Sequence, residues 1–247
     1  MTVHAGASPW PTRVLAHAGF EMRNLLRNGE QLLLTVILPA IVLVVLARTN
    51  LVRLDFGGHD PVQVAAPGVL ALAIMSTAFT SNAIATGFDR RAGALRLLAT
   101  TPLGRSGLLG GKAVGVCAVE VVQILLLGAL ALALGWRPEL AGLPVAIAAV
   151  LLGTAAFTAL ALLIAGTLRA EAVLAGANLL WLLLVVGGGV VVPMSGVLAY
   201  LPSAALGDAL RAGLTEGAPS EALLPLAILL GWTVVLGAAT VRWFRWD

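Results

Sequence analysis

The chain has 247 residues, 60% of them hydrophobic and only 11% charged, with a mean hydropathy of +1.00. Soluble domains carry about 25% charged residues, so this composition excludes a water-soluble globule and calls for an all-α membrane protein. The net charge of +3 comes from 14 arginines and one lysine against 12 acids, and these basic residues flank apolar runs, which implies membrane orientation and no nucleic-acid partner.

In chain order, residues 12–28 (TRVLAHAGFEMRNLLRN) are predicted to form an interfacial helix. Val14, Leu15, Ala18, Met22, Leu25 and Leu26 recur at helical spacing, while Arg13, Arg23 and Arg27 reach lipid headgroups. The first apolar run begins near Gln31, too late for a cleavable signal. About 20 apolar residues cross a bilayer, and six spans are predicted at 31–48, 67–87, 112–135, 143–167, 172–192 and 222–241. The second opens at Pro67, where a missing N–H costs little. The runs cover nearly the whole chain, so 1–247 is read as one membrane domain.

With the N-terminus inside, the cytoplasmic segments hold eleven basic residues, and the outer ones hold four: Arg48, Arg53, Arg137 and Arg211. Both termini are therefore expected in the cytoplasm of a multi-pass protein of the cell membrane. Between spans two and three lies the charged stretch 88–111. Read as one helix over 88–100, it puts Phe88, Ala92, Leu95 and Ala99 on one face and Asp89, Gly93, Arg96 and Thr100 on the other. Thr101-Pro102-Leu103-Gly104 then turns the chain, and Arg105 and Lys112 flank the return to the membrane. The stretch is either an ordinary positive-inside loop or an element that receives force from a cytoplasmic partner. Within it, SGLLGGKA (106–113) imitates a phosphate-binding loop. Ser106 stands where the first Gly is needed, however, and Ala113 where the metal-binding Ser or Thr is needed. ATP is therefore not expected on this chain.

Polar residues interrupt the spans. Glu120 and, one turn on, Gln123 sit in span three; Ser76, Thr77, Thr80, Ser81, Asn82 and Thr86 crowd span two; Thr154, Thr158 and Asn178 are weaker cases. A carboxylate in lipid faces protein or a wet cavity. These side chains either line a pathway or bond neighbouring helices. Gly111 and Gly115 allow close helix packing without locating a dimer interface, and Gly187-Gly188-Gly189 can bend span five. In the outer segment 193–221, Leu201-Pro202-Ser203 reads as a helix start with Ser203 as N-cap. Leu206, Leu210 and Leu214 then share one face, and Asp208, Arg211 and Thr215 the other. This helix is read as re-entrant or as lying on lipid. Cys117 is alone, which excludes an internal disulfide and a zinc site. Asp55, His59 and Asp60 fit no metal-binding spacing, and Trp243, Arg245 and Trp246 form an interfacial anchor.

The run Asp89-Arg90-Arg91-x-Gly93-x-Leu95, followed by Thr101-Pro102-Leu103 and Leu108-x-x-Gly111-Lys112, resembles the cytoplasmic loop of type-2 ATP-binding-cassette (ABC) permeases, closest to bacterial drug and antibiotic exporters. The specific part covers about 25 residues, while the layout covers nearly the whole chain. Two positions depart from that pattern: Asp89 replaces the usual Glu, and Ala94 the usual Thr. The resemblance implies a permease half that pairs with an identical or homologous permease. Separate cytoplasmic ATPase subunits would carry ATP and Mg and dock on a coupling helix. Asp89, Arg90, Arg91, Gly93, Arg96, Pro102 and Arg105 would be the coupling residues, with Thr77, Thr80, Ser81, Glu120, Gln123 and Asn178 on the translocation pathway. No residue of this chain would be catalytic, and none would hold a metal. The substrate implied is hydrophobic or amphipathic: a drug, antibiotic or lipid-like molecule. Haem or polysaccharide export and an ion-coupled transporter built around Glu120 are the alternatives. A membrane-embedded enzyme would need clustered acids or histidines, which the sequence does not show.

Overall fold

The computed structural model describes residues 8–27, 29–48, 60–215 and 219–246, and these are helical almost throughout. Ten α-helices follow in order: α1 (Trp10–Arg27), α2 (Gly29–Arg48), α3 (Pro61–Met75), α4 (Asn82–Arg91), α5 (Ala94–Ala99), α6 (Gly104–Ala133), α7 (Leu143–Thr167), α8 (Ala170–Gly187), α9 (Pro202–Leu214) and α10 (Leu223–Trp243). A six-residue π-helical segment, Ser76–Ser81, joins α3 to α4, so Pro61–Arg91 runs as one rod of 31 residues.

Among the described residues, five helices are long and apolar enough to cross a membrane: Pro61–Arg91, Gly104–Ala133, Leu140–Thr167, Ala170–Gly187 and Leu223–Trp243. The described apolar part of α2, Thr35–Arg48, is shorter than these. The expected boundaries shift where local chemistry overrides hydropathy. The second span begins at Pro61, with Pro67 inside the helix, because Pro61 itself occupies the first turn. The third begins at Gly104, eight residues before Lys112. The fifth stops at Gly187, and Gly189 takes φ +67, a backbone conformation that glycine enters without penalty. The glycine run ends the helix; it does not bend one that continues to 192.

α7 is the hub. It packs against α10, α9, α4, α6, α3 and α8, and small residues let these helices approach. Ala149, Ala156, Ala161 and Ala165 are fully buried. A Cβ on Gly142, just before α7, would clash with the carbonyl oxygen of Gly213 in α9, and one on Gly153 would sit 2.7 Å from Leu206 Cδ1. In lipid such close packing substitutes for the hydrophobic drive between helices. The outward faces of α8 and α10 keep Leu179, Leu183, Val186, Val234 and Val235 exposed, as lipid-facing surfaces require.

α9 does not lie on lipid. It packs among α3, α7 and α10, with its apolar face (Leu206, Leu210 and Leu214) buried and, of its predicted polar face, Arg211 buried and Asp208 and Thr215 half-buried. Arg211 is buried and donates to the carbonyls of Gly189 (3.0 Å), Val190 (3.1 Å) and Val191 (3.3 Å), and to Asp208 Oδ1 at 2.7 Å. It thereby fastens the chain leaving α8, which passes so close to α3 that a Cβ on Gly68 would meet Val191 O at 2.7 Å. Arg211 belongs to an outer segment by its position in the chain, yet its side chain is turned inward. Ser203 is not the N-cap. Leu201 holds that position, and Ser203 Oγ donates to Gly188 O at 2.9 Å.

Because the obstacle at Gly142 is backbone, it cannot rotate away. Gly142→Ala is expected to cost about 1–3 kcal/mol through overpacking. Gly128→Ala, with nothing within 4 Å of the added carbon, is expected to be neutral or better. Thermal melting of both variants in detergent checks the contrast, and equal melting points would refute the α7–α9 seat.

Candidate functional site: a charged rim and a buried polar seam

The stretch 88–100 is not one helix. α4 carries the rod to Arg91, the chain reverses at Gly93 (φ +78), and α5 spans only Ala94–Ala99. Of the predicted apolar face, Leu95 is fully buried, while Phe88, Ala92 and Ala99 are exposed. A left-handed residue between two short helices makes a corner, and glycine is the residue that accepts it cheaply. Thr101-Pro102-Leu103 then turns the chain, and Gly104, at φ +70, opens α6. The imitation phosphate loop 106–113 is continuous helix inside α6.

The seven rim residues separate by what they touch. Arg90 donates to Ala165 O (2.7 Å) and Leu168 O (3.0 Å), closing the C-terminal end of α7. Arg105 does the same for α10 through Val241 O (3.1 Å) and Arg242 O (3.5 Å). Helix C-termini carry unsatisfied carbonyls and partial negative charge, so both arginines are well placed there. Arg91 pairs with Glu171 at 2.9 Å on the surface. Among the described residues, the side chains of Arg96 and Pro102 make no hydrogen bond or ion pair, and both are exposed.

Asp89 faces inward, to Lys112. The lysine is only 1% exposed, lies 2.9 Å from Glu21 Oε1 on α1, and is 3.8 Å from Asp89 Oδ2. Thus α1, α4 and α6 each contribute one charge to a single cluster. His17, one turn before Glu21, brings Nε2 within 3.4 Å of the same carboxylate oxygen without a hydrogen bond. α1 can come this close because of glycine: a Cβ on Gly111 would meet His17 Cδ2 at 2.5 Å, and one on Gly115 would meet Glu21 Cβ at 2.8 Å. The G-x-x-x-G pair seats α1 on α6.

The expected apolar face of α1 is therefore rotated. Val14, His17, Ala18 and Glu21 are buried against α6, whereas Leu15 and Met22 are exposed. Leu25 and Leu26 lie outside the described side chains. Leu15, Phe20 and Met22 form an exposed apolar flank on α1, and Arg23 and Arg27 are exposed as well. Hydrophobicity alone concealed His17 and Glu21. The available signal was their i, i+4 spacing in line with Val14 and Ala18, together with a lone lysine in a chain of arginines.

The polar residues of the spans gather into a seam between the π-helical segment, α6, α7 and α8. Thr77 Oγ1 donates to Gln123 Oε1 (3.0 Å), whose Nε2 donates to Thr35 O on α2 (3.3 Å). Thr154 on α7 donates to Glu120 Oε2, and Trp181 on α8 donates to Ser76 Oγ (3.0 Å). Glu120 is fully buried, and its Oε1 has no partner among the described residues; the same holds for Thr80 Oγ1, Asn82 Nδ2 and Thr158 Oγ1. Ser81 is half-buried, and Asn178 is exposed on α8, away from the seam. The candidate site does not include the outer loop of Asp55 and His59, which lies outside the described residues.

Two outcomes follow from the ion cluster. Lys112→Met strands the buried Glu21 carboxylate and is expected to cost about 3–5 kcal/mol; adding Glu21→Met should recover much of that loss. Denaturation of single and double variants measures the coupling, and strictly additive losses would remove the pair from the account. The second outcome concerns pH. Burial pushes the His17 imidazole below its ordinary pKa of 6.5, with Glu21 opposing and Lys112 reinforcing the shift. The unfolded chain then binds the extra proton, so stability is complete above about pH 7.5 and falls as pH drops through about 6.5 towards the lower folded value. His17→Gln is expected to flatten that fall in melting curves taken between about pH 7.5 and 5.5.

No curated protein matches the chain. A model of the family described as ABC-2 family transporter proteins matches residues 60–242, from the start of the second apolar helix to the end of the last. That match takes in the seven rim residues, Glu120 and Gln123 of the seam and the buried α9, and leaves α1 and α2, with His17, Glu21 and Thr35, outside it. This multi-pass chain, with its charged rim carried on short helices, belongs to the ABC-2 transporter family.

Proposed function

We propose that the chain is the permease subunit of an ATP-driven exporter. It carries six spans, with α2 as the first, and both termini in the cytoplasm. It pairs with a second permease, identical or homologous, and moves a hydrophobic or amphipathic substrate out of the cell. ATP and Mg reside on separate ATPase subunits that dock at α5 and the Thr101-Pro102 turn.

One observation carries this reading. α5 is anchored by Leu95, which is fully buried, yet Leu97 is 72% exposed and Arg96 and Pro102 are exposed beside it. A short helix fixed on one side and bare on the other is a suitable handle for a partner. Next to it a cleft of about 360 Å³ lies between α1 and the turn, lined by Arg13, His17, Phe20, Leu98, Pro102 and Leu103. Force applied to α5 reaches the rod through Gly93, and reaches α1 and α6 through Asp89, Lys112 and Glu21. Arg90 and Arg105 carry the same displacement to the ends of α7 and α10. The seam then offers hydrogen bonds that can exchange as the helices shift, since it holds more polar groups than bonds.

The assignment divides the rim residues, and the division is testable. Arg96→Glu is expected to lower substrate-stimulated ATP hydrolysis by the assembled complex about tenfold, equivalent to about 1.4 kcal/mol, at an unchanged melting point. Asp89→Arg, which sets a guanidinium against Lys112, is expected to lower both. The assay uses the tagged chain drawn gently from its native membranes with its partners attached. Full coupling in Arg96→Glu, or a chain that comes down without any ATPase while a control ABC complex survives the same detergent, would overturn the docking site.

A further inference from the structure

At the end of α10 nearest Arg105, the chain leaves the helix and tucks back along α7. Arg245 N donates to Gly166 O at 3.2 Å, and Phe244 is buried against Gly166, where a Cβ would meet its ring. Trp246 stacks edge-on to Phe244, with centroids 5.3 Å apart. This return forms a cleft of about 430 Å³ lined by Arg105, Thr167, Arg242, Trp243, Phe244 and Arg245. Three arginines line it, and among the described residues no carboxylate does. Arg105 spends one nitrogen on the carbonyls of α10. Among the described residues, the side chains of Arg242 and Arg245 make no hydrogen bond or ion pair.

Three like charges gathered at one membrane surface repel each other unless an anion joins them. Guanidinium pairs bind phosphate in a planar, two-pronged geometry that suits such a group. The approach to the cleft identifies which kind of phosphate. Leu230, Val234 and Val241 form an exposed apolar stripe along α10, and the stripe ends beside Arg242, with the exposed ring of Trp243 at the same level. An acyl chain can lie on that stripe while its headgroup enters the cleft. Tryptophan and arginine at a helix end are the expected companions of a headgroup, and basic clefts between spans take anionic ones.

We propose that this cleft binds the phosphate headgroup of an anionic phospholipid of the same leaflet, with Arg242 and Arg245 as its principal ligands and Arg105 completing the clamp. The site rests on this end of α10 lying at the membrane surface, but not on the transport reading. A lipid held there also touches the last turn of α10 and, through Arg105, the first turn of α6.

The test uses the full chain with its co-purifying partners, reconstituted in nanodiscs of phosphatidylcholine and phosphatidylglycerol in equal parts. Native mass spectrometry then counts the lipids retained per chain. The wild type is expected to retain phosphatidylglycerol in preference to phosphatidylcholine. Each arginine removed should lower that preference about fivefold, so R242Q/R245Q loses it almost entirely. R137Q/R169Q removes the same charge at two exposed positions outside the cleft and should keep the preference, and R242K/R245K should retain part of it. If the double variant fails to reach the membrane, R242Q and R245Q are each read alone. Equal loss in the R137Q/R169Q control would overturn the site in favour of a diffuse charge effect. Unchanged retention in the arginine variants would overturn it outright. If inorganic phosphate raises the melting point in pure phosphatidylcholine discs as much as phosphatidylglycerol does, the cleft is a free-anion site and the lipid assignment fails. If the variants keep their lipid but shed a co-purified ATPase, the cleft is a protein contact.

Discussion

A lysine taken out of water must find carboxylates, and Lys112 finds two on different helices. Glu21 comes from α1 and Asp89 from the end of the long rod, both converging on one ammonium group near the start of α6. Breaking such a pair costs several kcal/mol, because the remaining charge stays buried. The pairing therefore fixes where α1 lies, how far the rod extends and which way α6 enters the bundle. Gly111 and Gly115 belong to the same constraint, since any larger residue would hold α1 away from the lysine.

From that anchor the rest of the rim acquires its order. Arg90 and Arg105 reach across to the ends of α7 and α10, so the charged stretch is tied to four spanning helices before any partner arrives. What remains free is small: α5 with its exposed Leu97, the Arg96 side chain and the turn at Pro102. A segment so firmly held on one side transmits displacement and does not absorb it. The opposite end of the molecule is organised by the same device, as Arg211 gathers three consecutive carbonyls and seats α9 within the bundle. Lipid cannot satisfy a free carbonyl, so at both ends an arginine supplies the missing donors.

The seam occupies the middle. Its hydroxyls, amides and one carboxyl join α2, α6, α7, α8 and the π-helical segment, whose wide turn is itself common at sites that move. Small residues along α7 supply the close contact around it. The bundle is thus tight where alanine and glycine meet and exchangeable where threonine, asparagine and glutamate meet.

The sequence by itself determined the membrane class, the existence and approximate position of the apolar helices, the amphipathic first helix and the break between the second and third spans. Hydropathy and Pro-Gly punctuation are local properties, so they are legible in one chain. The resemblance carried by Asp89–Lys112 also lay in the sequence, and the family match bears it out. Only the tertiary structure decided which charges are working internally. Asp89, Arg90, Arg105, Lys112 and Arg211 look like surface charges when counted along the chain, yet each is bound to residues on another helix or loop. Likewise, helical periodicity set Leu15 and Met22 inward, and the structure instead buries His17 and Glu21. Periodicity records which residues share a face; the partner on the other side, here a lysine 91 residues away, decides which face is buried.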